Sequence, residues 1–299
     1  MPLKVLLIDD DRMQFRLTQA HFAKFQGETY ELEWVASFEE GLARLCGREY
    51  AACLLDYRLG KRDGLELIRE AVSAGCRTPI VFLTAEGSAQ VDNAAMNAGA
   101  LDYLVKREMT PRLLERSLRY ARKLGETMEE LRRLATRDSL TGLFNRREFE
   151  RMLESESERS VRFRLPVGLA MIDVDHFKAI NDAHGHPVGD KVLRELAGWL
   201  VTVLRSVDRV ARFGGDEFAV LLVQTDAAGA RAAAQRVCDT IAHELFWVAE
   251  DRSLKITVSI GVAAWSMNTD ATGMIAAADA ALYAAKKAGR NRVVVSKVQ

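Results

Sequence analysis

Ala211-Arg212-Phe213-Gly214-Gly215-Asp216-Glu217-Phe218 is the densest stretch of this sequence. Apolar runs at Arg209–Phe213 and Phe218–Val223 flank the two glycines, so the stretch reads as a β-hairpin with a glycine turn. Gly214 and Gly215 leave the turn's backbone bare, which lets a phosphate chain approach closely. Two acids follow at once. Upstream, Met171-Ile172-Asp173-Val174-Asp175 ends another apolar run in acids. Bringing Asp173 beside Asp216 would build a carboxylate site for one or two Mg²⁺ ions and a nucleoside triphosphate.

Around this centre, strands are expected at Val167–Ile172, Ile256–Ala263 and Val293–Val295. Helices are expected at Arg146–Glu154, Gly189–Val203, Ala228–Glu244 and Gly273–Ala288. The pattern is α+β with an antiparallel-rich sheet. ESESERS at 154–160 reads as a solvated loop. Lys286 and Arg290, four apart at a helix end, would share a face and take terminal phosphates, lysine as a point charge and arginine as a fork. His184 and His186 lie in a glycine loop without a third ligand, so they do not read as a metal site. Asp175 reads as a turn anchor. Trp199, Trp247 and Trp265 read as core or rim aromatics.

The first third has another character. Short apolar runs at Val5–Ile8, Ala51–Leu55, Pro79–Leu83 and Leu101–Val105, with a further one near Val35, alternate with amphipathic stretches such as Phe38–Leu45 and Leu65–Val72. Strands that read as continuous apolar runs imply a parallel sheet covered on both faces. Ligands of such sheets sit beyond the carboxyl ends of the strands. Asp9, Asp10, Asp56, Thr84 and Lys106 all fall there. Three converging carboxylates call for a divalent cation, and oxygen ligands suit Mg²⁺. An aspartate beside Mg²⁺ can attack a phosphoryl donor. Thr84 would then bond the new oxygens and Lys106 would neutralise them. Asp11 reads as a helix cap.

Residues 111–137 are helical and highly charged. Leu114, Ser117, Ala121, Leu124, Met128, Leu131 and Ala135 step by threes and fours, an imperfect heptad seam by which two copies are expected to pair.

Composition limits the alternatives. The chain has 299 residues, enough for about two domains. Its 42 basic and 42 acidic residues cancel, so no net positive field exists to grip nucleic acid. Cys46, Cys53, Cys76 and Cys238 form no C-x-x-C pair and read as small buried residues in a reducing compartment. The N-terminal apolar run is too short for a signal peptide and ends in acids. No stretch is long enough for a membrane helix. A soluble, cytoplasmic protein is expected, with neither DNA nor membrane as partner.

The first 118 residues resemble the response-regulator receiver family through LLIDDD, LLDYRLGKRDGLEL, IVFLTA and DYLVK. The resemblance implies a flavodoxin-like, doubly wound α/β fold. It makes Asp56 the phosphoacceptor, Asp9 and Asp10 the Mg²⁺ ligands with it, and Thr84, Tyr103 and Lys106 the switch residues. A histidine kinase or phosphotransfer protein would be the donor. Residues 138–299 resemble the GGDEF diguanylate cyclase family, of nucleotidyl-cyclase-like α+β fold, through RDSLTGLFNRREF, IDVDHFKAINDAHGHPVGD, RFGGDEFAVLL, SIGVA and DAALYAAKKAGRNRV. That resemblance implies that Asp173, the Val174 carbonyl and Asp216 hold Mg²⁺, and that Asp216 or Glu217 helps deprotonate the attacking ribose hydroxyl. Asn181 and Asp190, with His186 nearby, would read guanine, and Phe177 and Lys178 would wall the pocket. Two GTP on two facing copies would yield cyclic di-GMP and pyrophosphate. Arg205 and Asp208, an R-x-x-D five residues before the glycines, would form a product-inhibition site, with Arg236 as a second arginine. Residues 119–137 would be the linker of a homodimer switched by phosphorylation. A cyclic di-GMP receptor without activity is the alternative, but Asp173, Gly215, Asp216 and Glu217 are all in place. Asp190 speaks against a cyclase for another nucleotide pair. A DNA-binding regulator would need a basic helix-turn-helix after the linker.

Overall fold

The computed structural model describes residues 2–47, 50–85, 89–249, 252–264 and 270–296; Trp265 lies outside them. The chain forms two compact units, Met1–Leu131 and Arg132–Gln299.

The first unit runs β1 (Leu3–Ile8), α1 (Arg12–Phe22), β2 (Tyr30–Val35), α2 (Phe38–Gly47), β3 (Ala52–Asp56), the short pair β4 (Arg58–Leu59) and β5 (Arg62–Asp63), α3 (Gly64–Ser73), β6 (Ile80–Thr84), α4 (Ala89–Ala98), β7 (Asp102–Val105) and α5 (Pro111–Thr136). Its sheet has the order β2-β1-β3-β6-β7 and is parallel throughout. Alternate residues of each strand face two separate cores. Leu6, Ile8, Leu55 and Phe82 pack on one side, and Val5, Leu7, Leu54 and Val81 on the other. Both faces are covered, so the polar strand ends gather at one edge. Asp11 caps α1, its carboxylate accepting from the Met13 amide.

α5 is unbroken from Pro111 to Thr136, with no interruption near residue 118. Leu114, Leu118 and Ala121 are buried in the core beneath β1, β3 and β6, and the Ser117 hydroxyl donates to Asp102 Oδ2. The first three of the seven expected seam positions are therefore consumed by their own unit. Leu124, Met128, Leu131 and Leu134 remain exposed. An amphipathic period reports that one face is covered and not what covers it.

The second unit comprises β8 (Phe144–Asn145), α6 (Arg146–Phe163), β9 (Val167–Val174), α7 (Phe177–His184), α8 (His186–Val203), β10 (Arg209–Arg212), β11 (Glu217–Val223), α9 (Ala227–His243), the hairpin β12 (Phe246–Ala249) and β13 (Arg252–Leu254), β14 (Val258–Ala264), α10 (Ala271–Lys287) and β15 (Val293–Val295). Its sheet order is β15-β14-β9-β11-β10-β8. The pairs β14–β9, β9–β11 and β11–β10 are antiparallel.

Three expectations fail here. ESESERS is no loop: it continues α6, with Phe149, Leu153, Ser157 and Ser160 buried at helical spacing. Serine is small enough to lie against a sheet, and the Ser160 hydroxyl satisfies itself on the Leu165 carbonyl. The histidine-bearing glycine loop is instead the joint between α7 and α8, turned at Gly185 with φ of 82°. Finally, α10 ends at Lys287. Gly289, Arg290 and Asn291 are left-handed, and the Arg290 amide turns back to the Ala285 carbonyl (3.1 Å). Lys286 and Arg290 therefore do not share a helical face.

Gly261 sets the depth of packing. A Cβ there would stand 2.1 Å from the Ala278 oxygen and 2.2 Å from the Leu282 nitrogen, so only glycine lets α10 lie directly on β14. That approach carries Lys286 towards the end of β9.

Candidate functional sites

In the first unit, Asp9 directly follows β1, Asp56 ends β3 and Thr84 ends β6, all buried. Asp9, Asp10 and Asp56 each present an oxygen within 4.8 Å of the others. Lys106 Nζ bridges Asp9 Oδ2 and Asp56 Oδ1, both at 2.8 Å. Asp9 is fixed further by the Asp11 amide on Oδ1 (2.9 Å), and Asp10 receives the Gly60 amide (2.9 Å). Gly64 begins α3 so close to β3 that a Cβ would stand 2.3 Å from the Asp56 carbonyl oxygen.

Burial pushes the Asp56 carboxyl up to about 6, with Asp9 adding repulsion and Lys106 opposing it. Asp9 is raised as well, again chiefly by burial. Burial would lower Lys106, but its hydrogen bonds to Asp56 and Asp9 outweigh that and hold it above its ordinary value. One lysine does not neutralise this much buried negative charge, and an all-oxygen donor set fits a hard divalent cation. Tyr103, on β7 beside Phe82, is 39% exposed.

In the second unit, Asp173 lies one residue from the end of β9, with Glu217 opposite on β11 and Ser259 opposite on β14. The Val174 amide donates to the Asp216 carbonyl (3.3 Å). Asp173, Asp216 and Glu217 thus surround one sheet end. Burial raises the Asp173 carboxyl; Lys286 opposes this, and the charges of Asp216 and Glu217 add to it. Lys286 Nζ stands 2.7 Å from Asp173 Oδ2. Lys286 is therefore held inward on the acid, while Arg290 lies exposed beyond the helix.

The turn is closed by the Phe213 and Gly214 amides on the Glu217 carbonyl (2.8 and 3.2 Å). Neither Gly214 nor Gly215 has a positive φ. A Cβ on Gly214 would stand 2.6 Å from Glu217 Oε2 and displace that carboxylate, whereas Gly215 faces open space and leaves the main chain accessible. Arg212 holds the turn, donating to the Gly215 carbonyl from Nε (3.1 Å) and Nη2 (2.7 Å) and to both oxygens of Asp138 (3.3 Å each). Sequence reading assigned no role to Arg212 or Asp138. The only available signal was their presence in two separate motif stretches. Burial would raise Asp138, but bonds from Thr141 and Arg212 bring it below its ordinary value.

Asp175 is fully committed to structure. It accepts from the Thr257 hydroxyl, the Ser259 hydroxyl and the Asn291 amide (2.7, 2.7 and 3.0 Å), which ties β9, β14 and the turn after α10 together.

The expected base-reading residues lie on α7 and α8. Gly189 is pressed against the Asn181 side chain and the Phe177 ring. Asn181 Oδ1 is buried without a partner, and Asp190 follows on α8, half-buried. An orphaned buried amide oxygen beside a half-buried carboxylate suits a ligand edge that carries several N–H donors. His186 and Lys178 are exposed.

Asp208 is buried, with Oδ2 on the Arg205 amide (3.0 Å) and Oδ1 on the Val223 amide (3.3 Å). The Arg205 side chain is exposed and lines a groove with Arg151, Arg159 and Arg209. Arg236, on the exposed side of α9, is not part of that groove.

Fold and acid clusters together define a receiver unit followed by a GGDEF-type unit. Comparison with known families agrees. The response regulator receiver domain matches residues 5–117, and the diguanylate cyclase, GGDEF domain matches residues 135–292. The chain belongs to the GGDEF diguanylate cyclase family and carries a response-regulator receiver domain ahead of the GGDEF domain. It is 41% identical over 184 residues to the probable diguanylate cyclase DgcC of Escherichia coli K12, a match covering 60% of this chain and 48% of that protein. It is 40% identical over 178 residues to the response regulator PleD of Caulobacter vibrioides, covering 59% and 39%. The solved coiled coil and GGDEF domain of DgcB from Caulobacter crescentus, in complex with c-di-GMP, is similar at a TM-score of 0.58 and 32% identity, over 62% of this chain and 98% of that one. The matches span about half or less of the length of these curated relatives.

No described helix is long and apolar enough to cross a membrane.

Proposed function

We propose that this chain is a diguanylate cyclase that condenses two GTP into cyclic di-GMP and two pyrophosphates, under control of phosphorylation at Asp56. The observation that carries the reading is the intact acid cluster of Asp173, Asp216 and Glu217 beside the bare Gly214-Gly215 turn.

Asp173, the Val174 carbonyl and Asp216 would hold Mg²⁺, which neutralises triphosphate charge and favours departure of pyrophosphate. The protein's own work is positioning. Gly215 admits the phosphates to the main chain, and Arg212 holds that turn still. Asn181 and Asp190 accept from the guanine N–H groups. Asp216 or Glu217 accepts the proton of the 3′-hydroxyl that attacks the partner's α-phosphate. Lys286 exchanges its bond to Asp173 for the terminal phosphates, and Arg290 adds a fork beside them. One copy holds one GTP, so turnover requires a homodimer, for which exposed Leu124, Met128 and Leu131 offer a seam.

In the receiver, a histidine kinase or phosphotransfer protein supplies the phosphoryl group, Asp9, Asp10 and Asp56 would hold Mg²⁺, and Thr84, Tyr103 and Lys106 report the change. The switch is a population shift between productive and non-productive dimers. Arg205 and Asp208 form the product-inhibition site, and Arg236 would supply a second arginine from α9, outside the groove that Arg205 lines. The main-chain bonds on Asp208 fix its carboxylate and leave it lone pairs for a ligand. A GTP-using enzyme under a receiver would work in the cytoplasm, where GTP is available.

The test is incubation with GTP and Mg²⁺ and detection of cyclic di-GMP. Asp216→Ala is expected to lose the product. A wild-type chain that binds cyclic di-GMP but makes none would instead be the receptor.

A further inference from the structure

We propose that Cys46 and Cys76 are a redox pair that closes to a disulfide at the end of the receiver opposite the acid cluster. The two thiols come from different elements, the last turn of α2 and the turn between α3 and β6, and both line one cavity of about 760 Å³. The Cys76 Sγ lies 3.5 Å from the Leu45 carbonyl oxygen. That oxygen belongs to the peptide unit leading directly into Cys46, so Cys76 Sγ is within roughly 6 Å of the Cys46 Cα. A disulfide holds its two Cα atoms about 4.4–6.8 Å apart, so the bond closes with a shift of the Cys76 turn towards α2. Cys46 is exposed and Cys76 half-buried, so an oxidant reaches the pair, whereas Cys53 and Cys238 are buried.

The chemistry balances with a peroxide as oxidant. The Cys46 thiolate attacks one peroxide oxygen, giving a sulfenic acid and hydroxide, which takes up the thiol's proton and leaves as water. The Cys76 sulfur then attacks the sulfenic sulfur and expels a second water as the S–S bond forms. Two thiols lose two electrons and the peroxide gains them. Burial and the neighbouring Cys76 thiol push the Cys46 thiol up, so the reaction accelerates as pH rises from 7 to 8.

The bond has a consequence for α5, the cavity's other wall. The turn that carries Cys76 also carries Arg77, bonded to Glu129 (3.1 Å), and Pro79, which abuts Gly125 so closely that a Cβ there would stand 2.5 Å from Pro79 Cγ. Tying this turn to α2 loads the segment that seats α5. None of this depends on what the second unit catalyses.

The test uses the full chain, hydrogen peroxide, and peptide mapping without reduction. The expected result is a Cys46–Cys76 linkage, lost in Cys46→Ser and in Cys76→Ser and kept in Cys53→Ser. It should form at least about tenfold faster in the folded chain than in urea and speed up about tenfold per pH unit. Equal rates folded and unfolded, a main product joining two chains, or linkage to Cys53 would each overturn the proposal. Hydrogen exchange along residues 122–131 should differ between the reduced and oxidised chains; unchanged exchange would remove the link to α5.

Discussion

The two acid clusters of this molecule are built alike and poised differently. Each gathers carboxylates at a sheet end, each has one lysine on an acid, and each relies on one glycine for a close approach. In the receiver, Lys106 bridges two buried aspartates and the acids close to metal-ligand spacing. In the GGDEF unit, Lys286 touches Asp173 alone, and Asp216 and Glu217 are only half-buried on a turn that opens at Gly215. A parallel sheet delivers its acids to one compact edge suited to a small phosphoryl group. An antiparallel hairpin spreads them along an open rim suited to a triphosphate.

The largest expected effect tests that division of labour. Asp173→Asn should lower cyclic di-GMP formation by roughly 10³-fold or more while Asp56 still accepts a phosphoryl group from acetyl phosphate. Loss of both, in a folded chain, would show that the clusters are not separable.

Next come the glycines. Gly261→Ala forces a side chain into the backbone of α10, at a cost of about 2–4 kcal/mol by denaturant titration. Gly64→Ala should cost less, because α3 begins at that residue and can shift outward. A reversed order would mean that α10 is the looser of the two helices.

A smaller effect of opposite sign is expected at Asp56. Its carboxyl, ordinarily at 3.8, rises to about 6 in the fold. The native state therefore binds the proton more tightly. The stabilisation that this provides is complete below about pH 4 and is lost as pH rises to about 6. In chelator at pH 7, Asp56→Asn should stabilise the receiver by on the order of 1–3 kcal/mol, and the decline between pH 4 and 6 should flatten. A thermal melt series in pH decides this, and destabilisation at pH 7 would mean that Lys106 offsets the buried charge. The comparison with Asp173→Asn, whose raised carboxyl also has only one lysine, then shows which cluster is the more strained. Smallest is Asp270→Ala, which removes the bond from the Gly273 amide that caps α10 and should cost about 1 kcal/mol in a melt.

The receiver was the more legible of the two. Its strands are unbroken apolar runs, so the residue after each run falls at the sheet edge, and Asp9, Asp56, Thr84 and Lys106 followed from that alone. In the GGDEF unit, the hairpin and its acids were readable because glycine and acid adjacency is local. What stayed hidden was tertiary. Lys286 reaches Asp173 only because Gly261 lets α10 down onto β14, and no periodicity encodes that depth. Ser157 and Ser160 looked solvated because composition registers polarity and ignores size. Asn181, Gly189 and Phe177 meet because α7 folds back on α8 at Gly185, a joint that read as a loop.

The unbroken α5 has a geometric consequence. Twenty-six helical residues make a rod about 39 Å long. Its early turns are keyed into the receiver by Leu114, Leu118 and Ala121. Beyond that keyed part, one inserted residue rotates every later side chain by about 100° around the rod, whereas seven bring the face back to within about 20°. The length of this segment is therefore a phase setting, to be counted in heptads.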